Sequence, residues 1–333
     1  MKTLGRSGVA VTGLGFGGAS IGNLYKEVSD AQAAETVRAA WDVGVRYFDT
    51  APHYGLGLSE RRTGAVLREY PRDEYVLSTK VGRLLVPNPD GAGTDDLDNG
   101  FAVPATLRRQ WDFSADGVRR SLEDSLERLG GLDRIDVALI HDPEESDDPE
   151  SALTMAAPAL ARLRAEGVIG AYGVGSKQWQ ILHRFVTETE VDAIMLAGRY
   201  TLLEQPALDE LLPACEKHGV SVVNVGVFNS GLLARDWPEA DGHYEYGSAP
   251  AQLLDKARAI ATLCQEYGTT LPHAALVFAG AHPTVASVVV GAGQAARFTR
   301  NAELLAAAPP PVELWQELVT RGLLRPDAPV PTS

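Results

Sequence analysis

Val45-Arg46-Tyr47-Phe48-Asp49-Thr50-Ala51-Pro52-His53-Tyr54-Gly55 opens as a buried-type strand and closes in a turn, with its chemistry held back to the end. β-branched and aromatic residues predict a strand over Val45 to Thr50, and Pro52 and Gly55 punctuate the loop that follows. Two later stretches share this design. Tyr75 to Lys80 runs apolar into Ser78-Thr79-Lys80, and Asp136 to His141 runs Val137-Ala138-Leu139-Ile140 into His141. Further strands are expected over Ala171 to Gly175, Ala193 to Gly198, Ser221 to Phe228 and Ser287 to Gly291, with Gly13 to Gly17 as an eighth. Helical periodicity fills the intervals: Asp30 to Val43, Ser114 to Leu129, Ser151 to Glu166, Gln178 to Thr187, Pro206 to His218, Ala251 to Tyr267 and Gln294 to Ala308. Strand and helix alternating about eight times predict an α/β fold, a (β/α)8 TIM barrel. No composition shift divides the chain, so one domain is expected over residues 1–333. Lys2 to Thr12 reads as an N-terminal hairpin closing the barrel floor. Arg83 to Phe113 and Leu232 to Pro250 interrupt the rhythm after predicted strands. Loops there sit on the C-terminal face, so both are candidate walls of a substrate pocket.

The formal net charge of −14 argues against nucleic acid or an anionic membrane surface as partner. No apolar run approaches the ~20 residues of a membrane helix. The N-terminus lacks the apolar core of a signal peptide. Cys215 and Cys264 both fall in helical patterns, so a cytoplasmic protein without a disulfide framework is expected. Nothing in the sequence selects an oligomeric state.

Asp49, Tyr54, Lys80 and His141 lie at or just after the ends of successive predicted strands. Each alone has a plain explanation as a cap, a loop aromatic or a snorkelling lysine. On neighbouring strands of a barrel they converge on one mouth, where barrel enzymes carry out catalysis. A carbonyl that accepts hydride needs a proton as negative charge develops, and in the reverse direction an alcohol loses one. An unperturbed tyrosine near pKa ~10 is a poor proton shuttle at neutral pH. A neighbouring ammonium is expected to lower that pKa, which assigns roles: Tyr54 acid/base, Lys80 its activator, Asp49 the holder of Lys80, and His141 the donor to the carbonyl oxygen. His53 is a second imidazole for the last role, less favoured because it lies in the loop.

Asp49-Thr50-Ala51 with Tyr54, Ser78-Thr79-Lys80-Val81-Gly82 and Ile140-His141-Asp142-Pro143 resemble the segments that carry the tetrad of the aldo-keto reductases. The resemblance extends over essentially the whole chain. Trp111-Asp112-Phe113-Ser114, Gly173-Val174-Gly175 with Gln178-Trp179, Leu196 to Gln205, and Phe228-Asn229-Ser230-Gly231-Leu232-Leu233 are similar to one branch of that family. That branch holds D-threo-aldose 1-dehydrogenases (L-fucose dehydrogenases) and pyridoxal 4-dehydrogenases. The resemblance implies a nicotinamide-dependent oxidoreductase that oxidises a sugar such as L-fucose or D-arabinose at C1 to the lactone. It places the cofactor against Gly17, Asp49, Ser176, Phe228, Asn229, Gly231 and Leu232. The adenine end meets Gly291, Gly293, Gln294, Arg297 and Asn301. NADP-using members carry Lys-Ser where this chain has Gly291-Ala292, which favours NAD over NADP, although Arg297 and Arg300 could serve a 2′-phosphate. Two positions depart from the pattern: Lys177 replaces the branch's Asn, and Ala197 replaces a Gln that holds the carboxamide in many members.

Alternative readings are pyridoxal oxidation, NADPH-dependent aldehyde reduction, and a redox-sensing nicotinamide-binding subunit without turnover. Gly13-Leu14-Gly15-Phe16-Gly17-Gly18 satisfies G-x-G-x-x-G, but no good helix follows and Asp49 lies too far on, so it reads as the first barrel strand. The acidic run Glu144, Glu145, Asp147 and Asp148 reads as a solvated connector, and no metal is expected. His243, Tyr244 and Tyr246 are candidates to face substrate from the second long loop.

Overall fold

The computed structural model describes residues 1–245 and 247–331. Eight parallel strands close into a barrel in chain order: β1 (Leu14–Gly17), β2 (Tyr47–Asp49), β3 (Val76–Val81), β4 (Val137–His141), β5 (Ala171–Ser176), β6 (Ala193–Ala197), β7 (Ser221–Val225) and β8 (Val285–Gly291). The glycine-rich segment is indeed β1. It pairs with β8 on one side and β2 on the other, and a short 3-10 turn follows in place of a nucleotide-binding helix. Gly18, at the strand end, lets the chain pass close to β2: a Cβ there would fall 2.5 Å from Ser59 Oγ and 2.9 Å from the Asp49 carbonyl oxygen.

Alternation along the strands builds two cores. Tyr47, Val137, Leu139, Ala171, Ala193, Met195, Val223 and Val289 fill the barrel interior. Phe16, Phe48, Leu77, Ile140, Val174, Ile194 and Val288 face outward and pack beneath the helices. Because side chains two apart share a face, this register carries Asp49, Ser78, Lys80 and His141 to the interior side at the upper rim. The N-terminal hairpin, Lys2–Thr3 paired with Ala10–Val11, plugs the opposite end with Leu4 and Val11.

The outer layer comprises α1 (Asp30–Asp42), α2 (Leu58–Leu67), α3 (Ala115–Arg128), α4 (Ala157–Ala165), α5 (Trp179–Glu188), α6 (Leu211–His218), α7 (Ala251–Glu266), α8 (Leu271–Ala279), α9 (Ala295–Ala306) and α10 (Val312–Thr320). Ser29 and Gln32 form a capping box on α1, and Ser114 caps α3 through the Gly117 amide. The periodicity that predicted most of these helices passes over α2, α8 and α10. The buried face of α2 is polar: Glu60 is fully buried, accepts 2.5 Å from Arg128 Nε of α3 and 2.8 Å from Thr79 Oγ1 of β3. Glu60→Ala leaves Arg128 and Thr79 facing a void. Its expected cost is about 3–5 kcal/mol, the usual penalty for removing one partner of a buried pair. Chemical denaturation reads it, and an unchanged midpoint contradicts the assignment.

The two long loops differ in build. Arg83–Pro87 and Leu107–Trp111 pair as an antiparallel ribbon within the first. The second carries only His243–Tyr244 against Gly247–Ser248. Both cysteines are buried free thiols. Among the described residues no helix is long and apolar enough to cross a membrane.

Candidate active site

Lys80 ends its run of interior positions with its ammonium inside the barrel mouth. Nζ donates 2.7 Å to Asp49 Oδ2 and 3.0 Å to the Thr50 carbonyl. Ser78 Oγ donates 2.7 Å to the other Asp49 oxygen, so the carboxylate is held from both sides. Tyr54 arrives from the loop after β2. That loop turns at Gly55, whose φ of +62° suits glycine and where a Cβ would lie 2.2 Å from the Gly22 carbonyl oxygen. The Lys80 ammonium stands 4.6 Å from the centre of the Tyr54 ring. His141 meets Tyr54 edge-on with ring centroids 5.6 Å apart. The four residues singled out from strand ends therefore share one place.

Their electrostatics correct one expectation. Burial raises the Tyr54 phenol above its ordinary value, and the charge of Lys80 pulls it back only in part. The ammonium restrains the phenol's pKa without bringing it below that of a free tyrosine, because desolvation of a phenolate here outweighs one neighbouring charge. Burial also opposes charge on Lys80, but Asp49 and Tyr54 outweigh it and hold the ammonium above its usual range. Burial, followed by the charges of Arg83 and Lys80, pushes His141 well below the usual imidazole range. The site thus offers a protonated phenol, a fixed ammonium and a neutral imidazole. This set can exchange a proton with an oxygen and hydrogen-bond it at the same time.

The acidic segment after β4 is exposed at Glu145, Asp147 and Asp148, as its composition suggests, but it also reaches the site. Asp142, at φ 39°, accepts 2.8 Å from Arg83 and lies 3.3 Å from His141 Nε2. Burial lifts its carboxyl to about 7, with Arg83 partly offsetting. Glu145 pairs with the same guanidinium at 3.0 Å, and Glu144 accepts a hydrogen bond from Ser176. Asp147 and Asp148 are exposed, and Glu145 stays exposed despite its ion pair. Arg83, the first residue of the ribbon, was invisible as a site residue because its partners lie 59 and 62 positions away.

A cleft of about 470 Å³ opens at this mouth. Leu24, Tyr25, His53, Asn99, Phe101, Asp142 and Glu145 line one end of it, with Tyr54, Lys80 and His141. From there it crosses the ends of β5 to β8 past Ser176, Lys177, Ala197, Phe228, Asn229, Gly231 and Gly291. Both long loops contribute: Asn99 and Phe101 come from the first, Tyr244 and Glu245 from the second. Tyr244 donates to Glu204, and Arg199 pairs with Glu245, so the second loop is tied across the rim. His243 is exposed and outside the lining, and Tyr246 lies outside the described residues. A larger cavity, about 780 Å³, lies at the opposite end of the barrel around Arg6, Arg134 and Arg164. Arg164 is committed to Asp192 at 2.9 Å and Arg134 to Asp136 at 3.1 Å, Arg6 donates to the His218 carbonyl, and none of the four groups lines it.

The remaining cofactor candidates fall in two groups. Gly17 and Asp49 form the floor, paired across β1 and β2 and beside Gly291. Leu232, Gly293, Gln294, Arg297 and Asn301 lie beyond the cleft lining. Leu232 is buried, while Gln294 and Arg297 are exposed at the start of α9. An extended dinucleotide fits these surroundings. Asn229 Oδ1 is buried without a partner among the described residues, a Cβ at Gly291 would meet Ser20 Oγ at 3.1 Å, and the N-terminus of α9 has no side-chain cap. Such a helix start favours an anionic group. Arg300 is engaged with Asp236 at 2.9 Å.

The pattern of the aldo/keto reductase family matches residues 13–318. The chain is 51% identical over 319 residues to a D-threo-aldose 1-dehydrogenase from Pseudomonas sp, covering 96% of both. It is 38% identical over 337 residues to a pyridoxal 4-dehydrogenase from Microbacterium luteolum, covering 97% of both. The holo form of an aldo-keto reductase from Bacillus halodurans superposes with a TM-score of 0.75 at 26% identity, over 100% of this chain and 98% of that one. With its closed (β/α)8 barrel and these relatives, the chain belongs to the aldo/keto reductase family and is a nicotinamide-dependent oxidoreductase.

Proposed function

We propose that this protein oxidises an aldose, such as L-fucose or D-arabinose, at C1 to the lactone, with Tyr54 as the base and NAD preferred over NADP. The observation that carries the reading is the gathering of Tyr54, Lys80, Asp49 and His141 at one end of a cleft. In the cyclic hemiacetal, His141 donates a hydrogen bond to the hydroxyl oxygen on C1 and aims it. Lys80 stabilises the phenolate form of Tyr54, which takes the proton of that hydroxyl and becomes the neutral phenol. Asp49 keeps Lys80 charged and directed. As acceptor of the C1 hydride, a nicotinamide bound in this cleft would supply the oxidant. Asn229, Gly291 and the start of α9 would hold it. Gly291-Ala292 at the end of β8 lacks a lysine for a 2′-phosphate, and Arg300 is already paired with Asp236. This supports NAD.

Initial rates with L-fucose, D-arabinose, L-galactose and pyridoxal, each with NAD and with NADP, test the reading. An aldose with NAD is expected to give the highest kcat/KM. Turnover confined to pyridoxal or to aldehyde reduction overturns the substrate assignment. Tight cofactor binding with no turnover on any substrate overturns the enzyme reading in favour of a sensor.

A further inference from the structure

His53 stands beside Tyr54 with its own support. Arg109 Nε donates 2.6 Å to His53 Nδ1, and Arg109 Nη2 donates 2.9 Å to the His53 carbonyl oxygen. Asp96 grips the same guanidinium with both oxygens, at 2.7 and 2.6 Å. Both Asp96 and Arg109 belong to the long loop after β3, and both are nearly buried. A guanidinium can only donate, so Nδ1 must present its lone pair and the ring proton must sit on Nε2. Burial and the charge of Arg109 drive the imidazole down to about 2, so it stays neutral in that one tautomer. Nε2 has no hydrogen bond among the described residues, and His53 lines the cleft. The ring is pinned edge-on against Phe101 at 5.3 Å and against His141 at 5.4 Å. An oriented donor is thus held next to the imidazole that faces the reacting oxygen.

We infer that His53 is a specificity-determining residue, whose Nε2–H donates a hydrogen bond to the substrate hydroxyl on the carbon adjacent to the one oxidised. The inference rests on the aldose reading given above and adds to it the feature of the sugar that is recognised. Two neighbouring imidazoles match two oxygens on adjacent ring carbons. Asp96 and Arg109 are positioning residues, and they give the long loop a task beyond enclosing the cleft. A pocket that commits a buried donor discriminates against a substrate lacking the hydroxyl, because the donor is then left unpaired.

The test compares D-arabinose with 2-deoxy-D-ribose, its 2-deoxy form, in the intact enzyme with saturating cofactor. Wild-type kcat/KM is expected to favour D-arabinose by about tenfold or more, the size of one lost hydrogen bond in a closed site. In His53→Phe that preference should fall to within about threefold, through loss on D-arabinose and little change on the deoxy sugar. His53→Gln keeps an oxygen for Arg109 and an amide donor for substrate, and should retain most of the preference. If the phenylalanine variant does not fold, His53→Ala carries the same comparison. Equal loss on both sugars, or an undiminished preference without the imidazole, overturns the inference and leaves the aldose reading standing. A folded glutamine variant that loses the preference as fully as phenylalanine also overturns it. Wild-type enzyme that oxidises neither these sugars nor L-fucose or L-galactose overturns the aldose reading, and this inference with it.

Discussion

Tyr54→Phe is expected to lower kcat and kcat/KM for aldose oxidation together by about 10²–10⁴-fold, the range of a lost general base. The variant removes one oxygen and keeps the ring. Its contacts with His141 at 5.6 Å and Phe101 at 6.2 Å survive, so the mouth of the barrel keeps its shape. The phenol acts as charge develops on the substrate oxygen, so its loss belongs to the transition state and leaves KM nearly unchanged. Cofactor affinity, read by quenching of tryptophan fluorescence, should stay within about twofold, because cofactor candidates such as Asn229 and Gly291 lie further along the cleft. A variant that retains wild-type turnover contradicts the assignment of Tyr54.

Lys80→Met strikes both activity and stability, and the two can be separated. Asp49 is left buried with Ser78 as its remaining side-chain donor, which should cost about 3–5 kcal/mol in a denaturant titration. Tyr54 meanwhile loses a charge that holds its pKa down against burial. The sign follows: the phenol's pKa rises, less phenolate is present at any pH below it, and oxidation slows by about tenfold for each unit of the rise. The rising limb of kcat/KM against pH should therefore move to more alkaline values, a shift that a merely structural lysine would not produce. Asp49→Leu combined with Lys80→Met removes both charges, and such replacements of buried pairs often preserve stability. The double variant is expected to recover most of the fold stability and none of the activity. An active double variant, or a single variant with wild-type stability and pH profile, contradicts the roles given to this pair.

Most of the fold was legible because strands and helices announce themselves by period. The alternation Tyr47, Phe48, Asp49 and Val137 to His141 fixes which side chains enter the barrel, and so the meeting of Asp49, Lys80 and His141 could be read in advance. Elements that break the pattern were hidden. The buried face of α2 is Ser59, Glu60, Thr63 and Gly64 alongside its apolar residues, and α8 is buried nearly all round, so neither shows an amphipathic stripe. Long-range pairings were hidden as well. Arg109 finds His53 across 56 residues, and no local spacing reveals that a loop arginine fixes the tautomer of a neighbouring imidazole. The direction of the Tyr54 shift was misread for a related reason: sequence shows that a lysine is near, but only coordinates show how deeply the phenol is desolvated. Glu144 reads as solvent-facing because a run of acids usually is, and here Ser176 draws it inward, while Glu145 stays exposed and pairs with Arg83.

A crystal structure of the protein with D-arabinose or its lactone in the cleft tests the central claim most directly. The oxygen on C1 should lie within hydrogen-bond reach of both the Tyr54 hydroxyl and the His141 ring. A sugar seated in the cleft with C1 turned away from both groups would contradict the account.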